Sequence, residues 1–266
     1  MILDGRAIAE DMYKALTKRR ALFERGIKIG IIVGGPSPVI ESFVRIKTRA
    51  AAKLDIEMVL VDLPEGADTA AVIEAVKKLA AETDSVIVQL QLPKTLDTNA
   101  ILAAIPPEKD VDALNPTIPD DKHPVFAPVA LAVVEILKRS GVPIEGRKTV
   151  VVGAGRLVGA PSAVLLRRLG ARVSMFTLKE GSVEDLKDSD IVVCGAGNPG
   201  FIKAEHIKEG VALIDAGASE SKGRVVGDAD PACAEKASVI TPVPGGVGPV
   251  AVAMIFRNLF DLLEKA

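Results

Sequence analysis

At 266 residues, with 48% hydrophobic and 26% charged side chains, the chain has the composition of an ordinary globular enzyme of one large or two medium domains. A net charge of −2 and a pI near 5.9 give no electrostatic footprint for nucleic acid or an anionic membrane, so a small molecule is the expected partner. The N-terminus has no basic region followed by an apolar run, and no stretch approaches the roughly 18 apolar residues of a spanning helix. Cys194 and Cys233 stand far apart and without His or Cys at ligand spacing, which points to a reduced cytoplasm and no metal.

Short apolar runs alternate with longer helical patterns, the signature of parallel strands joined by crossover helices, so the expected class is α/β. Strands are expected at Lys28–Val33, Glu57–Leu63 and Ser85–Leu92, with helices over 39–54 and 68–82. On the first of these helices the apolar positions are Ile40, Phe43, Val44, Ala51 and Leu54, and Lys47 interrupts the stripe four residues after Phe43, hence on the same face. A lysine partly removed from water has a lowered pKa suited to proton transfer near neutral pH; the competing reading is a stem that covers apolar surface while the ammonium reaches solvent. Gln89 punctuates Val86-Ile87-Val88-Gln89-Leu90 near the carboxyl end of a strand, where open α/β sheets place ligands. Asp110 and Asp112 follow in Pro107-Glu108-Lys109-Asp110-Val111-Asp112, as site residues or as solvated turn residues. The Pro-rich segment Pro106–Pro128 disfavours helix and central strand and is the expected domain boundary.

The alternation then restarts, with strands near 148–153, 171–176, 189–194, 211–216 and 237–241 and a last helix over about 249–264. Its first strand runs into Gly153-Ala154-Gly155-Arg156-Leu157-Val158-Gly159. Here Gly153 suits a tight turn, Gly155 a close approach of backbone amides to a pyrophosphate, and Gly159 close helix packing, with the helix N-terminus favouring phosphates. The spacing GxGxxxG is one residue longer than the common fingerprint, and a structural strand-to-helix turn accepts the same glycines. The next strand, Arg172 to Thr177, ends without the acidic residue that commonly binds an adenosine ribose. Before the last helix, Thr241-Pro242-Val243-Pro244-Gly245-Gly246-Val247-Gly248-Pro249 reads as a rigid wall for a flat ligand, or as a stiff connector.

Taken with their order, Val88-Gln89-Leu90-Gln91-Leu92-Pro93, Pro107 to Asp112, Val158-Gly159-Ala160-Pro161 and Pro244 to Pro249 match one family. The chain closely resembles, almost from end to end, the bifunctional methylenetetrahydrofolate dehydrogenase/methenyltetrahydrofolate cyclohydrolases of one-carbon metabolism. The resemblance implies a folate-binding catalytic domain over 1–118 and 243–266, a Rossmann-type NAD(P)-binding domain over 119–242, a last helix returning to the first domain, and a homodimer. It implies Lys47, Gln89 and Asp112 as catalytic residues, with Lys47 the essential lysine, Gln89 its partner and Asp112 the carboxylate that holds the pterin. Phe43, Val88, Leu90, Pro244, Gly245 and Gly246 would bind tetrahydrofolate derivatives, and Gly153, Ala154, Gly155, Arg156, Leu157, Val158, Thr177, Lys179, Ala196 and Gly197 the cofactor.

The implied activity is oxidation of 5,10-methylenetetrahydrofolate to the methenyl compound with NADP, followed by hydrolysis to 10-formyltetrahydrofolate, a donor for purine biosynthesis. Several positions depart from the family. Phe43 stands for the usual tyrosine, Gly34-Gly35-Pro36-Ser37-Pro38 differs from the usual loop, Ala127-Pro128-Val129 lacks Cys-Thr-Pro, and Val250-Ala251 replaces Met-Thr. Ala154-Gly155 and Thr177-Leu178 replace the Arg-Ser and His-Ser pairs that meet the extra phosphate of NADP; Arg156, Thr177 and Lys179 form the expected substitute, so NADP is the expected cofactor and NAD a possible one. The competing readings are another two-domain dehydrogenase of shikimate dehydrogenase type, and a nucleotide-sensing module without catalysis.

Overall fold

The computed structural model describes residues 1–35, 38–119, 121–177, 181–221 and 224–265, and the chain forms two compact units. The N-terminal unit comprises 11–128 and 255–266; the C-terminal unit comprises 1–10 and 129–254. Helix α1 (Gly5–Arg20), which the apolar alternation had not marked, starts in the second and ends in the first.

In the N-terminal unit the order is β1 (Lys28–Val33), α2 (Pro38–Lys53), β2 (Glu57–Asp62), α3 (Thr69–Glu82), β3 (Ser85–Gln89) and α4 (Thr98–Ala103). The strands form a parallel sheet in the order β2-β1-β3, with Asp62, Val33 and Gln89 in one row across it. The chain leaves β1 for one side and returns to the other, so the sheet reverses between β1 and β3, the point at whose carboxyl ends open α/β sheets bind ligands. β3 is buried throughout and β1 from Ile29 onward, which is why both read as continuous apolar runs rather than alternating ones. Gly30 is needed for packing: a Cβ there would lie 2.3 Å from Leu79 Cγ on α3. Asp68 and Asp97 cap α3 and α4 by accepting from Ala71 N at 2.8 Å and Ala100 N at 3.0 Å. β3 stops at Gln89 rather than Leu92, because its partner β1 ends at Val33, opposite Gln89, and leaves later residues no ladder to join.

The C-terminal unit contains α5 (Pro128–Arg139), β4 (Lys148–Val152), α6 (Gly159–Arg168), β5 (Arg172–Phe176), β6 (Ile191–Cys194), β7 (Ala212–Asp215), the hairpin β8 (Ser219–Ser221) and β9 (Arg224–Val226), and β10 (Val239–Ile240). Its parallel sheet runs β10-β7-β6-β4-β5 and reverses between β4 and β6, which places the turns after those two strands at a nucleotide-type crevice. From the sheet, Val152, Val192 and Leu213 cluster with Leu186 and Ile207. α5 begins on the last proline of the Pro-rich segment, at a first-turn position where a missing N–H costs nothing. The last helix, α7 (Val247–Leu263), passes from this unit into the first: Ile255 onward packs with 11–128, and Phe260 stacks on Phe23 with centroids 5.7 Å apart.

Candidate active site

At the reversal point of the N-terminal sheet, Lys47 Nζ on α2 donates to Gln89 Oε1 at 2.6 Å, and Gln89 Nε2 donates to the Leu90 carbonyl at 2.8 Å. The second bond sets the orientation of the amide, so its oxygen faces the lysine. Gln89 is buried and Lys47 half-buried. Burial pushes the Lys47 ammonium below the usual lysine range, opposed by the nearby Asp112 carboxylate. The same burial pushes Asp112 above the usual carboxylate range, opposed by Lys47. Lys47, Gln89 and Asp112 therefore form one group. Phe43, one turn earlier on α2, keeps 40% of its surface exposed, as an unused aromatic face would. Val88 points into the core and has only its backbone to offer a ligand, while Leu90 is half-buried against that core.

The turn that carries Asp112 is built from Asp110, which the sequence marked, and from Lys109 and Asn115, which it did not. Asp110, 1% exposed, accepts from Leu114 N and Asn115 N at 2.8 Å each. Burial nevertheless pushes its pKa up to about 6. Buried Asn115 donates to the Ile105 carbonyl at 2.8 Å and accepts from Thr117 N at 2.9 Å. Lys109 donates to the carbonyls of Ala80 and Thr83, closing the carboxyl end of α3. Of the acidic and basic residues in Pro107 to Asp112, then, Lys109 and Asp110 hold the turn and Asp112 acts electrostatically on Lys47.

In the C-terminal unit the glycines have separable roles. Gly153 turns with φ 98° and its ideal Cβ would lie 2.6 Å from the Gly195 carbonyl oxygen; a Cβ on Gly159 would lie 1.9 Å from the Gly153 oxygen. Gly195, not foreseen, is required too, since its Cβ would meet Val158 Cγ1 at 2.3 Å. Gly155 has open space at its Cβ position, and Ala154, Gly155, Arg156 and Leu157 are all exposed. Protein packing thus accounts for Gly153 and Gly159 but not for Gly155, which fits a turn that a pyrophosphate approaches. Thr177, at the end of β5, is half-buried; Leu178 and Lys179 lie outside the described residues, as do Pro36 and Ser37.

Asp228, fully buried, accepts from Ala196 N at 2.7 Å, Gly197 N at 3.2 Å and Asn198 N at 2.7 Å, so it holds the turn after β6 by three amides. Those amides are committed to Asp228, which leaves Ala196 and Gly197 their surfaces and carbonyls for a ligand. Asp215 accepts from Gly217 N at 2.9 Å and Ala229 N at 2.8 Å, and burial pushes it up to about 6. The Pro-Gly loop belongs to this unit: Gly5 N donates to the Gly245 carbonyl at 3.0 Å, and a Cβ on Gly5 would lie 1.8 Å from the Gly246 oxygen. Gly246 is buried and Pro244 exposed, which gives the loop a packed inner side and an open outer one.

A parallel sheet with a glycine turn at its reversal point, joined to a unit holding a lysine beside an amide and a carboxylate, defines a two-unit, dinucleotide-dependent α/β enzyme. The family model described as the tetrahydrofolate dehydrogenase/cyclohydrolase catalytic domain matches residues 3–112, and that of the same family's NAD(P)-binding domain matches residues 127–266. The bifunctional protein FolD of Methanoculleus marisnigri is 36% identical over 271 residues, covering 98% of this chain and 95% of that protein. The solved structure of the Trypanosoma brucei methylenetetrahydrofolate dehydrogenase-cyclohydrolase, complexed with NADP and an inhibitor, superposes at a TM-score of 0.93 with 36% identity, covering 100% of this chain and 97% of that one. The Campylobacter jejuni FolD enzyme superposes at 0.93 with 27% identity over 100% of this chain and 99% of that one. The chain belongs to the tetrahydrofolate dehydrogenase/cyclohydrolase family.

Proposed function

We propose that the protein oxidises 5,10-methylenetetrahydrofolate to 5,10-methenyltetrahydrofolate with NADP and hydrolyses the product to 10-formyltetrahydrofolate, with Lys47, Gln89 and Asp112 at the reacting centre. The observation that carries this is the 2.6 Å bond from Lys47 to a Gln89 amide whose orientation is itself fixed, near the half-buried Asp112 carboxylate. The nicotinamide, when bound, supplies the hydride acceptor. The first step needs no protein nucleophile, so the chain's contribution is to position the folate, with Phe43 against its ring system and Asp112 on the pterin's donors. In the second step water adds to the methenyl carbon and gives up a proton, the bond from that carbon to N5 breaks, N5 takes up a proton, and the remaining hydroxyl proton leaves as the formyl group forms. The balance is one water consumed and one proton released. Lys47, with its pKa lowered by burial and its Nζ held by Gln89, is the group that takes and returns these protons.

For the cofactor, the exposed turn from Ala154 to Leu157 and the end of β5 at Thr177 supply the contacts. β5 does not end on an Asp or Glu that would repel a 2′-phosphate, and Arg156, Thr177 and Lys179 attract one, which supports NADP over NAD. The reading extends to a homodimer in the cytoplasm that feeds purine biosynthesis and has no nucleic-acid or membrane partner, in keeping with a net charge of −2. The test is to incubate purified protein with methylenetetrahydrofolate and each nicotinamide cofactor while following reduced cofactor and the methenyl chromophore. Both signals are expected with NADP, the second decaying as the ring opens. Absence of cofactor reduction with either nucleotide refutes the activity, and light scattering at the mass of one chain refutes the dimer.

A further inference from the structure

Asn258 lies on α7 in the run Met254-Ile255-Phe256-Arg257-Asn258-Leu259-Phe260, 1% exposed among fully buried apolar side chains. Its Nδ2 donates to two backbone carbonyls, those of Val111 and Phe126, at 2.8 Å each. Its Oδ1 is buried without a hydrogen-bond partner among the described residues. The amide cannot be turned round, since that would set its oxygen against two carbonyl oxygens. A buried amide with an unsatisfied oxygen is a poor choice for packing alone, where leucine or methionine fills similar space without that cost. Its two donors are what the position uses.

The Val111 carbonyl belongs to the peptide unit whose N–H is that of Asp112, and beyond Asp112 the amides of Leu114 and Asn115 donate to the Asp110 carboxylate at 2.8 Å each. Asn258 therefore holds that peptide plane by its oxygen, and Asp110 fastens the chain just past Asp112. The backbone there is also constrained, with Ala113 at φ 54°. We propose that Asn258 is a positioning residue for the folate site: it fixes the peptide plane from which the Asp112 side chain projects, and so sets where that carboxylate meets the pterin. The inference rests on the reading of Asp112 as the pterin-holding group.

The test compares the parent with Asn258→Ala, Asp112→Asn and the double variant by steady-state kinetics with methylenetetrahydrofolate and NADP, alongside thermal unfolding. Asn258→Ala is expected to raise the KM for folate by about tenfold, leave the KM for NADP at the parental value, and lose most of that effect when Asp112→Asn is already present. Asn258→Ser, which keeps one donor, is expected to fall between parent and alanine variant, and it carries the comparison if the alanine variant does not fold. Lowered thermal stability with an unchanged folate KM, or a full multiplicative loss in the double variant, overturns the proposal by showing a purely structural residue. The underlying reading fails separately: Asp112→Asn would then bind folate as the parent does.

Discussion

Replacing Lys47 with methionine removes the amine and keeps the volume of the stem. The structure bounds what this does to the fold. A volume-conserving apolar swap costs under about 1.5 kcal/mol, and Gln89 Oε1 loses its 2.6 Å donor, worth about 1 to 3 kcal/mol when left unpaired. Against this, a cation whose charged form burial already disfavours is taken out, so the net change is small beside the roughly 5–15 kcal/mol typical of a domain. The chemistry has no such offset. A positioned general acid or base contributes about 10²- to 10⁴-fold, equivalent to roughly 2.7 to 5.4 kcal/mol of barrier, and with no amine to exchange protons the ring-opening step should fall by at least this factor. Hydride transfer, which needs no proton acceptor, should partly survive. The assay follows loss of the methenyl chromophore for hydrolysis and appearance of reduced cofactor for oxidation, with circular dichroism confirming the fold. A Lys47→Met protein that still opens methenyltetrahydrofolate at close to the parental rate would mean that Lys47 is a packing residue.

Four further outcomes follow from the same geometry. Asp112→Ala should weaken folate binding by about 1 to 3 kcal/mol, roughly 5- to 150-fold, by leaving buried pterin donors unpaired; unchanged folate affinity with weakened cofactor affinity contradicts the assignment. Gly159→Ala should destabilise the C-terminal unit by about 1 to 3 kcal/mol because its Cβ meets the Gly153 oxygen, whereas Gly155→Ala, with open space around it, should keep the melting temperature and lose cofactor affinity. If both variants melt alike, the division of roles between the glycines is mistaken. A double variant Arg156→Ala, Lys179→Ala should lose NADP affinity while NAD affinity stays; a parent that prefers NAD defeats the same idea. For Asp215, burial raises the folded pKa to about 6, so the fold binds that proton more tightly than the unfolded chain does; the group's stabilising contribution is full below about pH 4 and is lost as pH rises through about 6. Relative to Asp215→Asn, the parent should therefore gain stability between about pH 7 and pH 5, and denaturation midpoints that keep a constant gap speak against it.

The α/β class was legible in the chain because parallel strands buried on both faces must be continuous apolar runs, as Ile29 to Val33, Ser85 to Gln89 and Ile191 to Cys194 are. The glycine turn was legible for a local reason: positive φ at Gly153 and the 1.9 Å approach at Gly159 admit no side chain, so the residue types betray the geometry. Lys47 and Gln89 each stood out as a polar residue breaking an apolar pattern, but only the family resemblance paired them; across a 42-residue separation neither pattern shows the contact, because it depends on the order in which β1 and β3 pair. Asn258 breaks the stripe of α7 in the same way, but its meaning lies 147 residues away at the Val111 carbonyl. Asp228 and Gly195 carried no local mark: one is a single carboxylate that gathers three amides from a distant turn, the other a glycine excluded from having a side chain by Val158. Backbone conformation and burial are set by neighbours along the chain and so leave a trace in composition and period, whereas hydrogen bonds between distant segments arise only once the sheet order and the packing of helices have brought donor and acceptor together.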